Sequence, residues 1–174
     1  LPPDLMANFP AAWAVPSSLF SAFVMLINYT RFGKMKGMGE IVQWSIRDET
    51  IHADGMTKLF REFCKEHPRI VNDEFKADIY GMVREAVMLE DKVIDLAYQM
   101  GEIEGLKASE VKQYIRYIAD RRLIQLGLKG NYQVKENPLD WLEPLISTSS
   151  FDNFFETTVT EYSSNGLAGD WGWN

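Results

Sequence analysis

Up to Leu126, apolar residues recur at three-and-four spacing in separate runs, each closed by glycine or proline, as successive amphipathic helices require. Between Ser17 and about Arg31 they crowd nearly every side, which predicts a helix buried in a bundle core. Gly33, Gly37 and Gly39 then break the pattern. A long second helix is predicted from about Gly39 to Glu66, with Ile41, Trp44, Ser45, Asp48, Ile51, His52, Met56, Leu59 and Phe63 forming one continuous face and Pro68 stopping it. Asn72 or Asp73 can cap a third, running to about Met100, with its stripe at Phe75, Ile79, Met82, Val83, Ala86, Leu89, Val93 and Leu96. Ser109 is the candidate cap of a fourth, in which Val111, Tyr114, Ile115, Ile118, Leu123 and Leu126 repeat before Gly127 and Gly130. A short fifth is predicted over Pro138 to Ile146, with Asn137 as cap and Pro138 at its first position. No stretch alternates with period two over a useful length, so the predicted class is all-α, a helical bundle over residues 1–147.

The two ends differ from this middle. Residues 1–16 carry four prolines and fit an irregular lead-in or a broken helix. The opening Leu1-Pro2-Pro3, without an initiator methionine, reads as processing or a fragment. Residues 148–174 are rich in Ser, Thr, Asn and Gly, with Phe151, Phe154, Phe155, Tyr162, Trp171 and Trp173 set singly among them. Such a tail has too little apolar surface to pack on itself but carries anchors for docking on another protein.

Composition narrows the partners. A chain with 46% apolar and 25% charged residues reads as soluble and globular. A formal net charge of -7 gives no basic field for nucleic acid or anionic membrane surfaces. The most apolar run, Leu19 to Tyr29, is too short to span a bilayer. A single cysteine, Cys64, cannot form an internal disulfide, so a reducing, cytoplasmic compartment is expected.

The chemistry concentrates at Arg47-Asp48-Glu49-Thr50-Ile51-His52. Glu49 and His52, three apart on a helix, project from one face as a Glu-x-x-His half-site, the unit that four-helix di-metal carboxylate proteins use twice together with two further carboxylates. The only other histidine, His67, has Cys64 three residues before it, so the chain holds half of such a site. Carboxylate and imidazole donors suit iron or manganese.

Around this motif the residues resemble the small, radical-bearing subunit of class I ribonucleotide reductase. Arg47-Asp48-Glu49-x-x-His52 is similar to that family's second Glu-x-x-His motif, and Gly33-Lys34-Met35-x-Gly37-x-Gly39-Glu40-Ile41 to the turn before it. Tyr114-Ile115-Arg116-Tyr117-Ile118-Ala119-Asp120-Arg121-Arg122-Leu123 with Gln125-Leu126-Gly127-Leu128 resembles its late helix. Asn137-Pro138-Leu139-x-Trp141-Leu142 and Asn153-Phe154-Phe155-Glu156-x-x-Val159-Thr160-Glu161-Tyr162 resemble the approach to its tail.

This resemblance implies a ferritin-like bundle of which the chain is the C-terminal half. A missing N-terminal half or a separate chain would complete it. It implies a di-metal centre of iron, manganese and iron, or manganese, with Glu49 bridging and His52 a terminal ligand. Asp48 resembles an aspartate that hydrogen-bonds a ligand histidine of the other half and helps move an electron and a proton outward; pairing with Arg47 or Arg122 is the alternative. Tyr162, with Glu156 as its acidic companion, resembles the tyrosine that relays the radical to the large catalytic subunit, and Trp171 and Trp173 resemble the anchor by which such tails grip it. Such subunits form homodimers. Phe20, Phe23 and Trp44 are either an apolar wall of the site or plain core, and Tyr114 and Tyr117 are read as structural. Val15 stands where the family places a further glutamate ligand. A second reading therefore stays open, a metal-free, ligand-depleted structural partner of a competent small subunit.

Overall fold

Five α-helices form the described part of the molecule, residues 20–147 of a computed structural model. They are α1 (Phe20–Asn28), α2 (Lys36–Glu66), α3 (Asp73–Gln99), α4 (Ala108–Gln125) and α5 (Leu142–Ser147), with a 3-10 turn at Tyr29–Phe32 after α1. The all-α expectation is met. Among the described residues the only extended pairing is an isolated bridge between Ile103 and Leu106, and no helix is long and apolar enough to cross a membrane.

The short α1 is the hub, packing on α2, α3 and α4. Phe20, Val24 and Ile27 of α1 meet Val42 and Ile46 of α2, Val87 and Ile94 of α3, and Val111, Tyr114 and Ile115 of α4 in the main core. A second cluster, Phe60, Ile79, Val83 and Leu123, ties α2, α3 and α4 together, with the Phe60 and Phe75 rings stacked at 6.0 Å. Phe20 and Phe23 meet edge to face at 6.4 Å, so Phe20 belongs to the core.

The predicted helices exist, and their ends shift for local reasons. The last turn of the first tightens to 3-10 geometry where Thr30 Oγ1 donates to the Ile27 carbonyl at 2.6 Å. Asn72 caps α3 as read, its Oδ1 accepting from the Phe75 amide at 2.8 Å. For α4 the cap is Lys107 rather than Ser109, and Glu110 closes the turn by accepting from the Lys107 amide at 2.9 Å. Asn137 caps a turn and not a helix: its side chain accepts from the Leu139 amide at 2.9 Å, and α5 starts only at Leu142, later than the predicted Pro138.

Two predicted faces need correction. The buried positions of α2 are Gly39, Val42, Ile46, Ala53, Thr57 and Phe60, not the stripe through Ile41, Ile51, His52 and Leu59, which is exposed. That stripe turns outward because α1 and α5 take the other side of the helix. In the second half of α3 the inward positions are Val87, Glu90 and Ile94, while Leu89, Val93 and Leu96 lie outside.

The junction into α2 is tightly fixed. Gly33 closes the 3-10 turn at φ 69°, a left-handed conformation in which glycine carries no side-chain penalty. One turn into α2, a Cβ at Gly39 would collide with the Thr30 methyl, so only glycine allows this approach. The fully buried Asn28 donates to the Glu104 carbonyl at 2.8 Å, and Lys34 pairs with the Glu104 carboxylate at 2.7 Å.

At the far end of α4, buried Asp120 holds the following loop. Its Oδ1 accepts from the amides of Asn131 at 2.6 Å and Tyr132 at 2.8 Å, and its Oδ2 from Val134 at 2.9 Å. Gly130 lies so close to this carboxylate that a Cβ there would meet it at 2.9 Å.

One buried acid has no such cradle. Glu90, 2% exposed, accepts from the Ser21 hydroxyl and amide through Oε2, while Oε1 has no hydrogen-bond partner. Burial pushes its carboxyl above the usual value of 4.5, and Asp91 adds to the rise against the opposing Ser21 bonds. A raised native value means that the folded chain holds this proton more tightly than the unfolded one. Its stabilisation is complete below pH 4.5 and is lost as pH rises through the native value. Glu90→Gln is expected to remove that downward slope and raise the melting temperature at neutral pH, read from thermal unfolding between pH 4 and 8; an unchanged slope would refute the assignment.

Candidate metal centre

A 31-residue helix carries the Glu-x-x-His motif, anchored at one end by the close approach of Gly39 to Thr30 and along its inner side by Val42, Ile46, Ala53 and Phe60. Glu49, three residues after buried Ile46 and four before buried Ala53, stands at the edge of that inner side, and His52 lies one step further out. His52 Nδ1 lies 3.9 Å from Glu49 Oε2, and His52 Nε2 lies 3.7 Å from Asp48 Oδ1. Both gaps exceed hydrogen-bond length. The imidazole thus stands between two carboxylates without being clamped by either.

Side-chain exposure grades across the three: 28% for Glu49, 57% for His52 and 64% for Asp48. Ile41, Ile51 and Leu59, all exposed, belong to the same outward stripe.

The donor set fits part of a metal shell. Glu49 and His52 Nδ1 share one side of the helix, so one ion can reach both, whereas Nε2 is directed to Asp48, the kind of outer carboxylate that fixes a ligand imidazole's tautomer. Asp48 Oδ1 lies 3.7 Å from the His52 ring of its own helix. Asp48 does not pair with Arg122, which turns to Asp54 at 3.7 Å and donates to Gln125 at 2.9 Å. Arg47 keeps a buried Nε with no hydrogen-bond partner. Among the described residues no group of three or more His, Cys, Asp or Glu is arranged to hold an ion. Val15, Glu156, Tyr162, Trp171 and Trp173 lie outside the described residues.

A cleft of about 270 Å³ opens elsewhere on α2, where Thr50 and Asp54 face Tyr114, Tyr117 and Arg121 of α4. Arg121 donates to the Tyr117 hydroxyl at 2.7 Å, and burial pushes the Tyr114 phenol well above its usual value. Sequence reading took both tyrosines as structural and had no signal for the cleft, which joins residues about seventy positions apart.

Comparison with known proteins gives this geometry a setting. The family model described as ribonucleotide reductase, small chain, matches residues 7–138. A probable ribonucleoside-diphosphate reductase small subunit of Invertebrate iridescent virus 3 is 49% identical over 158 residues, covering 89% of this chain and 42% of the viral protein. The ribonucleoside-diphosphate reductase subunit beta of Chlamydia pneumoniae is 38% identical over 147 residues, covering 84% of this chain and 42% of the bacterial one. Among solved structures, a putative class I ribonucleotide reductase from Bacillus halodurans superposes with a TM-score of 0.76 at 26% identity, over 83% of this chain and 52% of that one. The chain thus spans about half, or less, of the length of the relatives it matches.

Proposed function

The chain belongs to the ribonucleotide reductase small-chain family, and from that we propose that it supplies one half of a di-metal, radical-bearing centre completed by other polypeptide. One observation carries the proposal: Glu49 and His52 stand side by side on α2, the carboxylate at the edge of the core side and the imidazole more exposed, on a helix whose outer surface also shows Ile41, Ile51 and Leu59. Another helical surface bearing carboxylates and a second Glu-x-x-His would bury the apolar residues and complete the ligand shell in one step.

In the assembled centre Glu49 and His52 would be this chain's ligands to the metal, with Asp48 beside the ring as the carboxylate that would orient it. Iron or manganese, when bound, supplies the oxidising capacity that generates an organic radical. This chain's own residues exclude water and carry the signal outward. Asp48 stands beside the ligand ring, and Tyr162 with Glu156 passes the radical to a large subunit gripped by Trp171 and Trp173. The reaction supported is reduction of ribonucleotides to deoxyribonucleotides on that large subunit, and the relatives' names favour diphosphates. A cytoplasmic, two-copy small subunit fits the same reading.

Metal analysis of the purified small-subunit assembly, joined to electron paramagnetic resonance, tests it. The expected result is two ions per complete site and an organic radical signal. Val15 favours a second reading, a structural partner without metal. A metal-free, radical-silent assembly that still binds the large subunit would select that one.

A further inference from the structure

We propose that the cleft between α2, α4 and α5 seats the first part of this chain's own C-terminal segment, Phe151-Asp152-Asn153-Phe154, so that everything beyond it runs out from a fixed point. The cleft of about 270 Å³ has an aromatic wall, Phe20, Tyr114 and Tyr117, and a charged rim. Of the two guanidinium groups on that rim, Arg122 is answered by Asp54 at 3.7 Å. Arg121 is exposed, donates to the Tyr117 hydroxyl at 2.7 Å and stands 5.5 Å from the centre of that ring. It has no ion pair among the described residues. A cation held against an aromatic wall beside an open cleft is matched by an acid set next to an aromatic side chain.

Connection, charge and position select the occupant. α5 brings Glu143 to the rim and ends at Ser147, so the chain that follows starts beside the cleft. Asp152 comes five residues later, within about 17 Å of extended chain. A tether that short holds a segment at an effective concentration on the order of millimolar. Residues 148–174 contain Asp152, Glu156, Glu161 and Asp170 and no Lys or Arg, and the first of these acids sits between Phe151 and Phe154. Residues 1–19, which adjoin the cleft through Phe20, have Asp4 as their only charged side chain, sixteen positions away. Polypeptide that completes the ligand shell is needed on another side of α2, because Thr50 and Asp54 of the cleft each lie two residues from His52, about 160° round the helix. Asp152 on Arg121, with Phe151 against the aromatic wall, satisfies the cation and fills the cleft. The inference uses no proposed metal ligand and stands without the metal reading.

Charge exchange read by proteolysis tests it. Chymotrypsin cleavage after Phe154 and Phe155 would be timed against cleavage after Tyr162 in the small-subunit assembly carrying the full chain, each rate divided by that of the free 148–174 peptide of the same sequence. In the unaltered chain the phenylalanine sites are expected to be cut about 10-fold more slowly than Tyr162, because cleavage follows the population of the open segment. Arg121→Glu alone and Asp152→Arg alone should each abolish that difference, and the two together should restore it to within about twofold, since the charges are then exchanged. Equal rates in the unaltered chain, protection that survives either single variant, or a double variant as open as the singles overturns the proposal. So does an Arg121→Glu chain that keeps these sites protected but loses the completing polypeptide on gel filtration, the result expected if the rest of a small subunit fills the cleft. Metal content and radical signal, which decide the proposed function, are measured separately from all of these.

Discussion

His52→Ala is expected to strip the assembled centre of metal at His52's position while leaving the helices intact. The alanine keeps the α2 backbone and removes only a ring that is 57% exposed, so folding should change by less than about 0.5 kcal/mol. Metal binding should fall far more. Changing an outer partner of a ligand imidazole already costs about 10–100-fold in affinity, so losing the ligand itself should exceed that range. His67→Ala is the control, since His67 caps α2 beside Phe63 at a ring distance of 4.8 Å, outside the motif. Metal per assembly measured by mass spectrometry, with circular dichroism beside it, separates the outcomes. Full metal content in the His52 variant would remove His52 from the ligand set.

Asp120→Ala is expected to be the most destabilising single change in the described residues. The carboxylate is 3% exposed and satisfies three backbone amides eleven to fourteen residues downstream, so its loss orphans all three donors at once. An unsatisfied buried donor costs about 1–3 kcal/mol. Opening of the loop to water recovers part of that, leaving about 3 kcal/mol, or a fall on the order of 10 °C in melting temperature. Asp120→Asn should be milder, because the amide keeps one acceptor oxygen and the volume. Hydrogen exchange at Asn131, Tyr132 and Val134 reads the effect directly. Protection that survives the alanine substitution would show that the loop is held by other contacts.

How far the sequence carried these conclusions differs from element to element. Periodicity and the Gly and Pro stops revealed the helices, and Glu-x-x-His with its flanking residues revealed the half-site, because both signals are local. Which side of a helix turns inward is not local. In α3 the outer stripe is the more apolar, and the inner one contains Glu90, so counting hydrophobic residues pointed the wrong way. The inner stripe wins because α1 supplies Ser21 to take the Glu90 carboxyl. In α2 the exposed Ile41, Ile51 and Leu59 recur at helical spacing much as core residues do, so periodicity alone could not tell the two sides apart. Asp120 escaped notice since an acid before two arginines reads as a surface ion pair, while its real partners lie in a loop with no motif of its own.

The contact between Gly39 and Thr30 has a consequence for how this gene segment can vary. It sets the rotational phase of α2 at its start, and every later position inherits that phase. Each residue advances the helix by about 100°. Deleting or inserting one codon between Gly39 and Glu49 would leave the helix its length and composition yet swing the ligand pair to another quadrant. Between those two points the exposed positions can drift and buried Val42 and Ile46 can exchange with similar apolar residues, but the count cannot change.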